Sequence, residues 1–286
     1  MKKLIIGTAQ LGNKYGITNL DKKRTNKKIV KFLEFCFQNS LNSFDTASDY
    51  GSEKIIGDFV RNNYIKNINI NTKIPSLKFI ENNKKLDFIK RSIDSSLNKL
   101  NLNHLDTVFF HDENDVKFFT RNEVQIDSIF KSYKIKNLGF SIYSKNVFNI
   151  LNRNKYIKSL QVPANIINKD FHKIKSNKKI IGRSVFLQGI LINPSLKTKN
   201  KILKNFNEKL FNIAQKNEIN LYSLCINYII QKKEIDKLII GFDNIRQLKK
   251  ILKFKKNYSN LNNDIKLIRS IVPKKYYNEI IDPRKW

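Results

Sequence analysis

Eight short, β-rich runs recur along this chain of 286 residues, with helical or loop segments between them. The runs are Leu4–Thr8, Ser43–Thr46, Ile68–Lys73, Thr107–His111, Asn137–Ser141, Ser159–Pro163, Lys179–Ser184 and Lys237–Gly241. Between them the apolar residues change from continuous runs to a helical period, as in Phe88, Ile89, Ile93, Leu97 and Leu100. Helices are expected over Asn26–Gln38, Glu53–Asn62, Leu86–Leu100, Glu123–Tyr133, Lys145–Asn152, Lys201–Asn217, Tyr222–Gln231 and Ile245–Phe254, with one more stretch near Asp264–Ser270. Strands that alternate with helices pair in parallel, because a crossover must carry the chain back over the sheet. Eight such strand–helix units in a chain this long predict an α/β fold, a single (β/α)8 TIM barrel over residues 1–286. A doubly wound open sheet is the alternative. Against it, Gly7, Gly12 and Gly16 lack the G-x-G-x-x-G spacing that such a sheet carries after its first strand.

Barrels of this kind carry their chemistry at the C-terminal ends of the strands. Asp45, Lys73 and His111 stand there on the second, third and fourth strands, and Tyr50 lies in the loop just past the second. Neighbouring strands run ~4.8 Å apart, so these side chains can meet. An acid, a phenol, an amine and an imidazole together make a proton-transfer site. Tyr50 would deliver a proton to a carbonyl oxygen, and His111 would hydrogen-bond the same oxygen. Lys73 beside Tyr50 is expected to lower the phenol's pKa, with Asp45 holding Lys73 charged and in place. No metal-ligand cluster or flavin-type signature accompanies them, so the missing reductant fits a nicotinamide.

Composition narrows the partners. The net charge is +31, but the lysines are spread along the whole chain and mixed with Asn and Ile, and no nucleic-acid motif accompanies them. The reading is a solvated basic surface that attracts anions, without a nucleic-acid partner. No stretch approaches the ~20 apolar residues of a membrane span, and the apolar part of Met1–Gly7 is too short for a signal peptide. Cys36 and Cys225 sit alone in apolar helical settings, which suggests buried thiols in the cytoplasm.

In order along nearly the whole chain, the segments resemble the aldo-keto reductase family. These segments are Gly7-Thr8-Ala9-Gln10-Leu11-Gly12; Asp45-Thr46-Ala47 with Tyr50-Gly51 and Ser52-Glu53; Thr72-Lys73; and Leu105-Asp106-Thr107 with His111-Asp112. Gly139-Phe140-Ser141, Gln161-Val162-Pro163 with Asn165, Ser184 with Gln188-Gly189-Ile190-Leu191, and Gly241-Phe242-Asp243-Asn244 with Gln247-Leu248 continue the likeness. The resemblance implies reduction of an aldehyde or ketone, such as a sugar derivative, by NADPH, with NADH as the other candidate. It implies Asp45, Tyr50, Lys73 and His111 as the catalytic tetrad. Ser141 and Gln161 would hold the nicotinamide carboxamide. Gly241, Phe242, Asp243 and Asn244, with Gln247, would hold the adenosine half.

Two departures stand out. Where many members carry Tyr-Ser-Pro-Leu after the seventh strand, this chain has Arg183-Ser184-Val185-Phe186, so a guanidinium replaces the aromatic ring that stacks on nicotinamide. Where members with a strong preference for NADP grip the 2′-phosphate with a basic pair, this chain has Gly241 and Gln247, with Arg246 beside the second. A second functional class remains open: a non-catalytic subunit that keeps the barrel and its cofactor pocket and serves a protein partner.

Overall fold

The computed structural model describes residues 3–12, 25–168, 170–171, 173–193, 201–242, 244–252, 266, 270 and 281–282. The chain opens with strand β1 (Lys3–Gly7) and a short helix α1 (Ala9–Gly12), followed by α2 (Asn26–Gln38). Then come β2 (Ser43–Asp45), α3 (Glu53–Asn62), β3 (Asn69–Ile74), α4 (Lys85–Leu100) and β4 (Thr107–Phe110). Helices α5 (Val116–Arg121) and α6 (Glu123–Ser132) lead to β5 (Asn137–Ser141), α7 (Lys145–Arg153), β6 (Ser159–Pro163) and β7 (Lys179–Arg183). The last elements are α8 (Lys201–Lys216), α9 (Leu221–Ile230), β8 (Lys237–Gly241) and α10 (Ile245–Leu252). All eight strands are parallel and close in chain order, with β8 against β1 in the register Gly7–Gly241.

The expected closed barrel is therefore the observed fold, with two differences in detail. Among the described residues no helix follows β6. Asparagine turns take its place: Asn165 Oδ1 accepts from the backbone N–H of Ile167 and Asn168, and Asn168 Oδ1 from that of Asp170. Such side chains satisfy the backbone locally and compete with a helical ladder, which is why no period was visible there. Conversely, α1 and α5 were not anticipated, because four and six residues leave too short a window for periodicity. The tail stretch near 264–270 lies almost wholly outside the described residues.

Alternation along the strands separates two cores. Ile5, Phe109, Ile181 and Ile239 form a small cluster of their own inside the barrel. Their chain neighbours Ile6, Val108, Phe110, Ile180 and Ile240 belong to the larger core shared with the helices. In that outer layer Phe110 stacks on Phe140 at 4.6 Å, and Phe119 meets Phe140 edge-on at 5.3 Å. Gly139 makes room for the inner cluster, since a Cβ there would sit 2.6 Å from the Phe109 ring. The inner cluster fills the barrel interior.

Cys36 and Cys225 are buried and free, and burial pushes both thiols up to about 12. Among the described residues, no helix is long and apolar enough to cross a membrane, and no group of His, Cys, Asp and Glu side chains is set to hold a metal.

Candidate active site

A cavity of about 430 Å³ opens at the C-terminal ends of the strands, and Ile239 of the inner cluster is part of its wall. Asp45, Tyr50, Lys73 and His111 all line it. Asp45 ends β2, between Gly7 of β1 and Asn71 of β3 in the strand register. Lys73 Nζ donates to Asp45 Oδ2 at 2.6 Å and to Thr46 O at 2.7 Å. Gln161, across the barrel on β6, donates from Nε2 to Asp45 Oδ1 at 2.5 Å. A carboxylate only accepts, so this bond fixes the amide's orientation and turns Oε1 away. Gln161 Oε1 is buried without a hydrogen-bond partner.

Tyr50 closes a single turn, Ser48–Tyr50, which Gly51 ends in the left-handed region at φ 70°. That turn rests on hydroxyls. Ser52 Oγ is 2.9 Å from both Thr8 Oγ1 and Thr46 Oγ1, and Thr8 Oγ1 donates to Asp45 O at 3.0 Å. Thr72 Oγ1 donates to Glu53 Oε1 at 2.6 Å and ties the start of α3 to β3. The segment from Asp45 to Glu53 is thus fastened to both neighbouring strands. A Cβ on Gly12 of α1 would run into the Tyr50 carbonyl, so that glycine lets α1 lie directly against the turn. The Tyr50 ring meets His111 edge-on, 5.9 Å between centroids.

The electrostatics depart from the simplest expectation. Lys73 lies 5.0 Å from the Tyr50 ring centroid, but its charge is taken up by Asp45. Burial, and next the Asp45 carboxylate, push the Tyr50 phenol above its ordinary value of 10.0; Arg183 is the cation that opposes them. The phenol is therefore held firmly protonated rather than acidified. His111 is lowered from 6.5, first by burial and then by Lys73 and Arg183, against the raising effect of Asp49. Its Nδ1 stands 3.8 Å from Asp49 Oδ2, and the half-exposed Asp49 is in turn lowered by His111.

Ser141, Gln161, Arg183, Ser184, Gly241 and Gln247 also line the cavity. Phe242 does not: its ring is buried in the outer core, 6.1 Å from the Phe32 ring. Asn244 Oδ1 accepts from the backbone N–H of Gln247 at 3.0 Å and caps the start of α10. Asp243 lies outside the described residues. Several residues were not anticipated as part of the site. Tyr143 and Gln10 line the cavity, and Asp49 faces His111. The signal for Tyr143 and Gln10 was their position, two or three residues past the ends of β5 and β1.

Residues 3–272 match the sequence model of the Aldo/keto reductase family. Over 151 residues, 49% of this chain, the sequence is 28% identical to D-arabinose 1-dehydrogenase of Saccharomyces cerevisiae, and the alignment spans 42% of that relative's length. The barrel superposes on a glycerol dehydrogenase from Gluconobacter oxydans with a TM-score of 0.71 at 14% identity, over 98% of this chain and 93% of the other. It superposes on an aldo-keto reductase from Bacillus halodurans in its holo form with a TM-score of 0.73 at 17% identity, over 96% and 95%. At these identities the likeness to the two structures is one of fold.

Proposed function

Because the chain belongs to the aldo/keto reductase family, we propose that it reduces the carbonyl of a small polar aldehyde or ketone, a sugar derivative among the candidates, with Tyr50 as the proton donor. The observation that carries this reading is the convergence of Asp45, Tyr50, Lys73 and His111 on one cavity. Tyr50 keeps its proton at neutral pH and gives it up to the oxygen of the carbonyl as negative charge develops there. His111 turns Nδ1 toward Asp49 Oδ2 at 3.8 Å, and we assign the ring proton of the neutral imidazole to Nε2. That N–H orients the same oxygen and stabilises its charge. The Lys73–Asp45 pair fixes the electrostatic floor beneath Tyr50 without adding net charge.

The residues present fit a nicotinamide dinucleotide. The unpartnered, buried Gln161 Oε1 is an acceptor suited to a carboxamide N–H, and Ser141 stands beside it at the end of the adjacent strand. When bound, that group supplies the hydride. Gly241, Asn244 and Gln247, with Ser184 and the backbone of Phe242, would hold the rest of it, and Arg183 would flank its ring. We take NADP as the cofactor, with the exposed Arg246 at the start of α10 as the group for a 2′-phosphate, and NAD as the competitor to test. We read residues 1–286 as one barrel domain working in the cytoplasm, where its two unpaired cysteines would stay reduced.

The test is hydride transfer from NADPH, and in parallel from NADH, to a panel of aldehydes. Tyr50→Phe should lower turnover by about 10²–10⁴-fold while a fluorescence titration shows unchanged cofactor affinity. Equal turnover in the variant would remove Tyr50 from the acid role. Tight cofactor binding with no turnover of any carbonyl would favour the partner-subunit class instead.

A further inference from the structure

We propose that Arg183, where many family members carry an aromatic ring, makes this site discriminate between the two redox states of the nicotinamide, keeping the reduced ring and shedding the oxidised one. The inference rests on the nicotinamide fit proposed above. Such a site runs carbonyl reduction with little inhibition by the spent cofactor, and product release is often the step that limits turnover.

The first argument is the sign of the charge. The reduced ring is neutral. Once a hydride has passed to the carbonyl carbon and the Tyr50 proton to its oxygen, the ring carries one positive charge and Tyr50 one negative charge. Solvent then returns a proton to Tyr50, whose phenol is held protonated, and the oxidised ring is left without that anion. The face of an aromatic side chain is electronegative and attracts a cationic ring. A guanidinium in its place repels the cationic ring and leaves the neutral one undisturbed. Arg183 cannot relieve the repulsion by losing a proton, because a guanidinium is not deprotonated in proteins.

The second argument is that the wall does not cancel this charge. Asp45 is the only carboxylate lining the cavity among the described residues. It pairs with Lys73 at 2.6 Å, and its other oxygen is taken by Gln161. Arg183 Nε donates to Ser141 Oγ at 3.1 Å, Nη1 to Ser184 Oγ at 3.3 Å and Nη2 to the Ile142 carbonyl at 3.0 Å, and all three acceptors are uncharged. The field of the guanidinium therefore stays in the site, where it reaches both Tyr50 and His111.

The third argument is that the guanidinium is held as a plate. Its three hydrogen bonds run from its edge, and its Cζ lies 4.0 Å from the centroid of the Tyr143 ring. Tyr143 thus takes one face, which steadies the cation without an anion, and leaves the other to the cavity that Arg183 lines. Tyr143 is itself fixed, because Glu113 Oε2 accepts from the backbone N–H of Tyr143 at 2.8 Å and of Ser144 at 2.7 Å. Ser141, which the fit assigns to the carboxamide, is also the acceptor for Nε, so the plate and the carboxamide site share a residue.

The experiment reads affinity rather than turnover. Fluorescence titration of the full chain gives the Kd of NADPH, and competition against it gives that of NADP⁺. The native protein is expected to bind NADPH about 10–100-fold more tightly than NADP⁺. NADH against NAD⁺ should give the same ratio, because the 2′-phosphate is common to both states of NADP. Arg183→Met should bring the ratio close to one, and Arg183→Lys, which keeps the charge without the plate, should fall between. ADP-ribose 2′-phosphate, which lacks the ring, should bind the native protein and both variants alike. A native ratio near one, or a ratio unchanged in Arg183→Met, overturns the proposal. An equal loss for NADPH, NADP⁺ and ADP-ribose 2′-phosphate in Arg183→Met would assign Arg183 to the phosphates and likewise overturn it. If neither redox state binds, the nicotinamide fit and this proposal fall together. The full ratio without turnover of any aldehyde sinks the reductase reading alone, and turnover with a ratio near one sinks this proposal alone.

Discussion

Lys73 Nζ lies 2.6 Å from Asp45 Oδ2, with the two side chains only 1% and 5% exposed. A buried pair like this is held by geometry, not by surplus attraction, because each ion has given up its hydration. Its value to the site is that it neutralises Lys73 and leaves Arg183 as the cation that opposes the rise in the Tyr50 pKa.

Removing one partner should cost more than removing both. Asp45→Asn is expected to destabilise the fold by about 3–5 kcal/mol, because it strands the Lys73 charge in the barrel. The double variant with Lys73→Met should recover part of that loss. Urea unfolding of the two single variants and the double variant forms the cycle. Losses that simply add would show that the pair is not coupled.

Asp49 should set the acid limb of activity through His111. Its charge raises the His111 pKa, while burial, Lys73 and Arg183 lower it below 6.5. Neutral His111 is the working form in the scheme above, so activity falls as pH drops through that pKa. Asp49→Asn removes the raising effect, and the acid limb of kcat/KM should move to lower pH. A pH–rate profile checks this; a limb that stays in place or moves upward contradicts the assignment.

Gly12→Ala should damage the Tyr50 turn from behind, since the added Cβ meets the Tyr50 carbonyl and the Gly51 and Ser52 backbone. Overpacking of this sort costs about 1–3 kcal/mol. Turnover should fall further than that loss of stability alone would explain at a temperature where the variant remains folded. Thermal unfolding and turnover, measured side by side, separate the two effects.

Asp115 joins the loop after β4 to the loop after β3, its oxygens accepting from the Leu77 N–H at 3.2 and 3.1 Å. Burial first, and the nearby Asp112 with it, push its carboxyl from 3.8 up to about 6. Between those values the folded chain keeps a proton that the unfolded chain has released. This group's contribution to stability therefore decreases as pH rises through that window and is level above it. Asp115→Asn keeps an acceptor for Leu77 without the charge. Relative to the native protein it should gain stability between about pH 4 and pH 6 and hold that gain above. Unfolding free energies at several pH values test the sign.

Much of the architecture was legible because its signals are local. An apolar run ended by a polar or glycine residue marks both a strand and its C-terminal end. Eight such ends in one chain are enough to place Asp45, Lys73 and His111 on adjacent strands. The helix boundaries followed from period and punctuation, and the helices missed were those too short to show a period, α1 and α5. Phe242 shows the other limit: its neighbours suggested a cofactor loop, but alternation at the end of β8 turns its ring into the outer core.

By itself, then, the sequence determined the element order, the closed parallel barrel and the ring of polar residues at one end of it. Only the tertiary structure decided how those residues are charged and paired. Gln161 meets Asp45 from 116 positions away, and Arg183 reaches back 42 to Ser141. Such partners are chosen by barrel closure, not by spacing. The direction of the Tyr50 and His111 shifts likewise depends on burial and on fields acting through space. Those are properties of the assembled site, and no local pattern of residues encodes them.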